Sequence, residues 1–178
     1  VTNLVPDRSA LEEHERLYLE AVIQTAQRKY PEAVRAYEAI KRLDEPPPSI
    51  YVDLGRAYDR NNETEKAVAS YTEATTRNPG YPAAFLRLGT LYARLKNVPA
   101  AHAAFDRAAH PYGPNEEGRA ELHYQRGRLY LDNNKAEARR ELEQSLQPAR
   151  STRSPHQQVT APFQLAFNAS TIVRWAVM

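Results

Sequence analysis

The sequence predicts an all-α solenoid of about four antiparallel helix pairs, with a capping segment at its C-terminal end. Three observations lead there. Residue types recur at an interval of 34 positions. Within each interval, apolar residues fall three and four apart, as they do on one face of a helix. Pro, Gly and Asn stand between those stretches, where they end helices. The composition is compatible: 178 residues suffice for one domain of ordinary size, and 42% hydrophobic with 26% charged residues is a globular balance.

Taken in order, Ser9-Ala10-Leu11-Glu12 has the form of a capping box and opens a helix predicted over 10–29. A second helix, over 31–43, starts at Pro31, whose missing N–H is harmless in a first turn. Leu17, Ala21, Ala33, Tyr37 and Ile40 mark this as a degraded first copy, with Glu20 and Gln24 where later copies carry Leu and Tyr. Pro46-Pro47-Pro48 separates it from the second copy, with helices over 48–60 and 64–77. There Tyr51, Leu54 and Tyr58 share one helical face, and Ala67, Tyr71 and Ala74 share another. Asn61-Asn62-Glu63-Thr64 forms the turn between them, because Asn tolerates a left-handed backbone; Pro79-Gly80 ends the pair, Gly by accepting positive φ.

The third copy repeats the second at the 34-residue interval: Phe85, Leu88, Gly89 and Tyr92 on a helix over 82–95, then Ala101, Phe105 and Ala108 on one over 99–109 that begins with Pro99. From Gly89 to Gly127 is 38 residues, so about four extra residues enter at His110-Pro111-Tyr112-Gly113-Pro114-Asn115. The fourth copy places His123, Gly127 and Tyr130 on a helix over 117–132, and Ala138, Leu142 and Ser145 on one over 135–147. Tyr130 to Ala138 is one residue shorter than its counterparts, which predicts a tighter turn. Gly inside a helix costs about 1 kcal/mol relative to Ala. Its recurrence at Gly55 and Gly89 predicts close helix packing there, with Ala67 and Ala101 opposite.

The aromatic-Leu-Gly-Tyr pattern of 51–58 and 85–92, with Ala67/Ala101, Tyr71/Phe105 and Ala74/Ala108 downstream, resembles the tetratricopeptide repeat family over roughly residues 14–150. The resemblance implies a right-handed superhelical solenoid of helix-turn-helix repeats. Its divisions are a lead-in over 1–13, a degenerate repeat over 14–47, repeats over 48–81, 82–117 (with the insertion) and 118–150, and a linker with a C-terminal cap or tail over 151–178. It also implies a protein-protein interaction scaffold whose concave groove is lined by the first helix of each pair.

Carried over place by place, that lining is Glu15, Tyr18 and Val22; Asp53, Arg56 and Arg60; Leu86, Arg87, Thr90 and Arg94; and Glu121, Tyr124, Gln125 and Arg128. From it the peptide-binding set is Tyr18, Arg56, Arg60, Arg87, Thr90, Arg94, Tyr124 and Arg128. Arg pairs bidentately with carboxylates, and Tyr packs with little entropy loss, so the partner implied is an acidic or C-terminal peptide. The opposing reading is that Asp53, Asp59 and Asp132 neutralise the arginines in surface ion pairs that need no ligand. The family's chaperone-binding members hold a terminal carboxylate with a clamp of Lys and Asn. Those places are held here by Tyr18, Val22, Arg56 and Ala83, with Arg87 alone matching, so chaperone tails are disfavoured.

Other functions find less support. The chain has no cysteine, which removes disulfides, thiol catalysis and Cys-based metal sites. His14, His102, His110, His123 and His156 show no metal spacing, and no phosphate-binding loop, dinucleotide fingerprint or nucleophile elbow occurs. His123 stands where the repeat has an aromatic and reads as a packing residue. No enzyme, cofactor or metal is therefore expected. No apolar run reaches the roughly 18–20 residues of a membrane span. A net charge of +2 argues weakly for nucleic acid, and Arg56, Thr90 and Arg128 form no sustained base-reading code, so a single-stranded RNA-binding helical repeat is the alternative reading.

The chain starts at Val1, with no signal-peptide pattern, and closes on Trp175-Ala176-Val177-Met178. This suggests the repeat region of a larger bacterial signalling, secretion or assembly protein. A cytoplasmic setting is favoured, or a periplasmic one if the longer chain is exported. After a polar linker over 150–155, Phe163, Leu165, Phe167, Val173, Trp175 and Val177 share parity. The segment reads as a capping helix, as an extended tail that packs on a neighbour and could join a homodimer, or as the start of a further region. The Asn168-Ala169-Ser170 sequon is discounted as a chance triplet.

Overall fold

Helix boundaries in this chain are set where capping geometry and backbone-breaking residues coincide, and the computed structural model describes residues 12–43, 46–110, 116–132 and 134–147. Eight α-helices follow one another among these residues: α1 Glu13–Ala26, α2 Tyr30–Lys41, α3 Pro48–Arg60, α4 Thr64–Arg77, α5 Pro82–Arg94, α6 Val98–Ala109, α7 Glu116–Tyr130 and α8 Lys135–Ser145. Every predicted helix is present, and its ends shift by at most three residues. The largest shifts are at the two ends of α1. At its start Glu12 is extended (φ −61°, ψ 157°), so the helix cannot run through it, and its N–H donates to Glu15 Oε2 at 3.0 Å. The capping box thus joins Glu12 and Glu15, three residues later than expected. Ser9 lies outside the described residues, as do 111–115 of the insertion and the tail over 151–178.

The turns repeat as faithfully as the helices. Arg28, Asn62 and Lys96 take positive φ (60°, 62° and 59°), each 34 residues from the last. In each of these turns the following N–H reaches back five residues: Lys29 to Gln24 O at 2.9 Å, Glu63 to Tyr58 O at 2.8 Å, Asn97 to Tyr92 O at 2.9 Å. That closure is the Schellman arrangement, which satisfies carbonyls orphaned at a helix end. Asn62 suits the left-handed place; Arg28 and Lys96 occupy it at about 1–2 kcal/mol each. In the last pair Asn134 N–H reaches back only four residues, to Tyr130 O at 2.8 Å, which is the predicted tighter turn. Gly80 departs from expectation. It does not take positive φ; the Asn78 side chain makes that turn instead, accepting from Gly80 N–H at 3.1 Å.

Backbone proximity divides the chain into two units, residues 1–84 and 85–178. In the first, α1 packs on α2, α2 on α3 and α3 on α4. In the second, α6 packs on α7 and α7 on α8, while α5 joins a shared core made of Phe85, Leu86, Ala101, Phe105, Ala108 and Leu122. The glycines explain how a pair closes. A Cβ built on Gly55 would lie 2.6 Å from the Tyr71 ring, one on Gly89 2.6 Å from the Phe105 ring, and one on Gly127 2.6 Å from Leu142 Cγ. The side chains seated on the glycines are therefore these large residues of the partner helix, not Ala67 and Ala101 as the sequence suggested; those alanines are fully buried. In the degraded first copy, Ala21 and Tyr37 hold the corresponding places, both buried. On α8, Lys135, Arg139, Arg140 and Gln144 are exposed.

Candidate functional site

On α1, Tyr18 and Val22 stand one turn apart and are unusually open for large hydrophobic residues, at 44% and 39% exposed. Tyr18 is nevertheless held in place. Its ring meets Tyr37 edge-on at 6.4 Å, and its hydroxyl donates to the Asp53 carboxylate on α3. That carboxylate first, then burial, holds the Tyr18 hydroxyl above the ordinary phenol range. Asp53 also faces Arg56 Nη1 at 3.4 Å. The expected neutralisation by Asp53 is thus present for Arg56, whose side chain is otherwise exposed. Arg60 is exposed in the last turn of α3, where a cation complements the helix dipole.

The second unit arranges its set differently. Arg87 on α5 is exposed, and Arg94 is exposed in the last turn of that helix. Thr90 Oγ1 donates to Leu86 O at 2.8 Å, so the hydroxyl is turned onto its own helix. Leu86 itself is not part of an open lining. It is 5% exposed and belongs to the core with Phe105 and Leu122, because α5 must bury apolar area against both α6 and α7. On α7 the Arg128 guanidinium lies over the Tyr124 ring, 5.8 Å from its centroid. Gln125 Nε2 donates to Glu121 Oε1 at 2.7 Å. The structure therefore brings Tyr18, Asp53 and Arg56 together in the first unit and Tyr124 with Arg128 in the second, and it withdraws Leu86.

Polar contacts that sequence reading missed lie between helices rather than on the exposed faces. Glu141 on α8 is 5% exposed and pairs with His123 Nδ1 on α7 at 2.6 Å. Glu141 stands where other copies place Ala104 or Ser70, so an acid among small residues was the available signal. Arg126 on α7 pairs with Asp106 on α6 at 2.5 Å, and Tyr130 Oη lies 3.5 Å from His102 Nδ1. In the first unit Tyr58 donates to the Glu38 carboxylate; burial and that carboxylate push its hydroxyl far above the phenol range. Each of these contacts joins two helices, which gives it a packing role. Among the described residues no group of three or more His, Asp or Glu side chains could hold a metal ion, and no helix is long and apolar enough to cross a membrane.

Three of the four helix pairs close on a glycine, and the tetratricopeptide repeat family profile matches residues 52–116. Residues 52–116 belong to that family. Solved structures agree on the fold. A thermophilic tetratricopeptide repeat protein of Thermus thermophilus superposes with a TM-score of 0.74 at 18% identity, over 97% of this chain and 87% of that one. The MamA protein gives 0.66 at 18% identity, over 92% and 86% of the two chains. A tetratricopeptide repeat protein of Parabacteroides merdae gives 0.67 at 18% identity, over 92% of this chain and 60% of that one. No curated protein sequence matches the chain significantly. Tetratricopeptide repeat proteins are generally protein-interaction scaffolds and typically carry no catalytic site.

Proposed function

We propose that this tetratricopeptide repeat chain holds a partner polypeptide on the exposed faces of the first helices of its pairs, and that acidic side chains or a C-terminal carboxylate of the partner pair with its arginines. The observation that carries the reading is the exposure of Arg87 on α5 and of Arg128 stacked on Tyr124 of α7. A guanidinium held against an aromatic face keeps its N–H edges available for a carboxylate and gives up little conformational freedom on binding. Tyr18, Arg56, Arg60, Thr90 and Arg94 complete the proposed set.

The binding test is selection of a displayed random dodecapeptide library on the intact chain. Asp and Glu should be enriched among the selected peptides, and Arg87→Glu/Arg128→Glu should weaken the best of them by about tenfold or more, as truncation of an interface anchor does. Affinity should also fall with added salt, because exposed charges are screened. A selected pool with no acidic enrichment would remove the reading.

A further inference from the structure

We infer that the first unit by itself seats one short stretch of a bound polypeptide, a large apolar side chain with a carboxylate close by: the apolar group lies on Tyr18 and Val22 of α1, and the carboxylate meets Arg60 of α3. This deepens the peptide-holding reading and rests on it. Two of the three exposed large hydrophobics among the described residues, Tyr18 and Val22, stand one turn apart on α1, so their side chains share a face. The Tyr18 ring is fixed before any ligand arrives, by Asp53 at its hydroxyl and by Tyr37 at its edge. A partner side chain laid across this pair removes apolar area from water and freezes little further on this protein.

The charge beside this pair defines the rest of the occupant. The hydrogen bond from Tyr18 to Asp53 brings α1 against α3, so the two arginines of α3 border the apolar surface. Arg56 faces Asp53 at 3.4 Å and is answered in place. Arg60, one turn further on, is exposed and forms no ion pair among the described residues. A carboxylate therefore finds an unopposed guanidinium at Arg60, whose planar fork takes both of its oxygens. A cationic partner group has less to gain, because the Asp53 carboxylate is already engaged by Tyr18 and Arg56. Helices in contact lie about 8–10 Å apart, a gap that about three residues of extended chain cross. The occupant is thus a segment in which a large apolar residue and an acidic residue stand about three residues apart.

The same dodecapeptide library, selected on the intact chain carrying Arg87→Glu/Arg128→Glu, tests this without the exposed cations of the second unit. The selected peptides should pair Leu, Ile, Phe or Trp with Asp or Glu at that spacing. Adding Tyr18→Ala/Val22→Ser should abolish the apolar enrichment and weaken the best of these peptides about tenfold. Adding Arg60→Gln instead should keep the apolar enrichment and abolish the paired acidic one. Circular dichroism monitors the fold, and Val22→Ser alone, at an exposed position, serves if Tyr18→Ala disturbs it. Apolar enrichment that survives loss of Tyr18 and Val22, or paired acidic enrichment that survives Arg60→Gln, overturns the seat. So does a pool without the pairing, while acidic enrichment on the wild type leaves the wider peptide-holding reading standing. Absence of acidic enrichment on the wild type overturns both.

Discussion

The α3–α4 pair and the α7–α8 pair answer the same packing problem with different chemistry. In the first, Tyr51 is almost fully buried, and Lys41 and Arg77 lie over its ring at 5.6 and 4.7 Å from the centroid. The glycine at the crossing, Gly55, receives a rigid ring, that of Tyr71. In the second, His123 replaces the aromatic, Glu141 enters where small residues are otherwise found, and Gly127 receives the branched end of Leu142. Apolar burial holds one pair. The other relies in part on a buried carboxylate that is acceptable only while its imidazole partner is present. The comparison teaches that facing places change together: a smaller ring at His123 stands against a larger side chain at Glu141, and the pair still closes although its polarity has changed.

The largest expected effect breaks the glycine seats. Gly89→Leu puts a side chain where the Phe105 ring already lies, and overpacking of this kind costs about 3 kcal/mol, which should lower the melting temperature by roughly 6–12 °C. Gly127→Leu should cost a similar amount, because Leu142 is fully buried and the Ala138 carbonyl oxygen lies 3.2 Å from the same place. Scanning calorimetry of both variants checks this; an unchanged melting temperature in either would remove that glycine's packing role.

A second expectation concerns the polar pair itself. His123→Phe restores the residue type of Phe85 but leaves Glu141 buried without its partner, at a cost of about 3 kcal/mol. The double change His123→Phe/Glu141→Ala, which reproduces Phe85 with Ala104, should recover wild-type stability or exceed it. Hydrogen exchange of α8 amides reads this pair separately from the rest. A double variant as weak as the single would mean that the pair is worth more than the apolar packing it displaced.

The smallest effect appears in alkali. The Tyr58 hydroxyl ionises in the folded chain only far above its unfolded value, chiefly because of burial and then the Glu38 carboxylate. Its contribution is complete below the unfolded phenol pKa of about 10 and is lost as pH rises above it. Helicity followed by circular dichroism should therefore fall above pH about 10, and Tyr58→Phe should blunt that fall. The Tyr130 hydroxyl, which lies 3.5 Å from the His102 ring rather than against a carboxylate, should contribute less.

The helices were legible because their apolar spacing, their prolines and the 34-residue interval all point the same way. The tight last turn was legible too, from one missing residue between Tyr130 and Ala138. Identity of the packing partners was not. Periodicity says that Gly55 must be approached closely but does not say by which side chain, because Ala67 and Tyr71 lie one turn apart on the same helix. Leu86 was misplaced for a similar reason: a position that faces outward in one copy can turn inward where a neighbouring helix supplies an apolar surface. The pairing of His123 with Glu141 joins two helices across 18 residues, beyond the reach of any single-helix pattern. The exposed set of Tyr18, Arg56, Arg87 and Arg128 came from family position alone; the pairing of Asp53 with Arg56, three residues on, was legible in the sequence, whereas the approach of Tyr18 to Tyr37 on the next helix was not.

Each glycine seat also has a temporal consequence. Gly55 and Tyr71 belong to the same hairpin, as do Gly89 with Phe105 and Gly127 with Leu142, so the two halves of every seat are close in sequence. Closing such a short loop costs little chain entropy, and contacts of this separation form early. A nascent chain that has emerged as far as Ala74 already contains everything needed to lock its second hairpin, before the third has been synthesised.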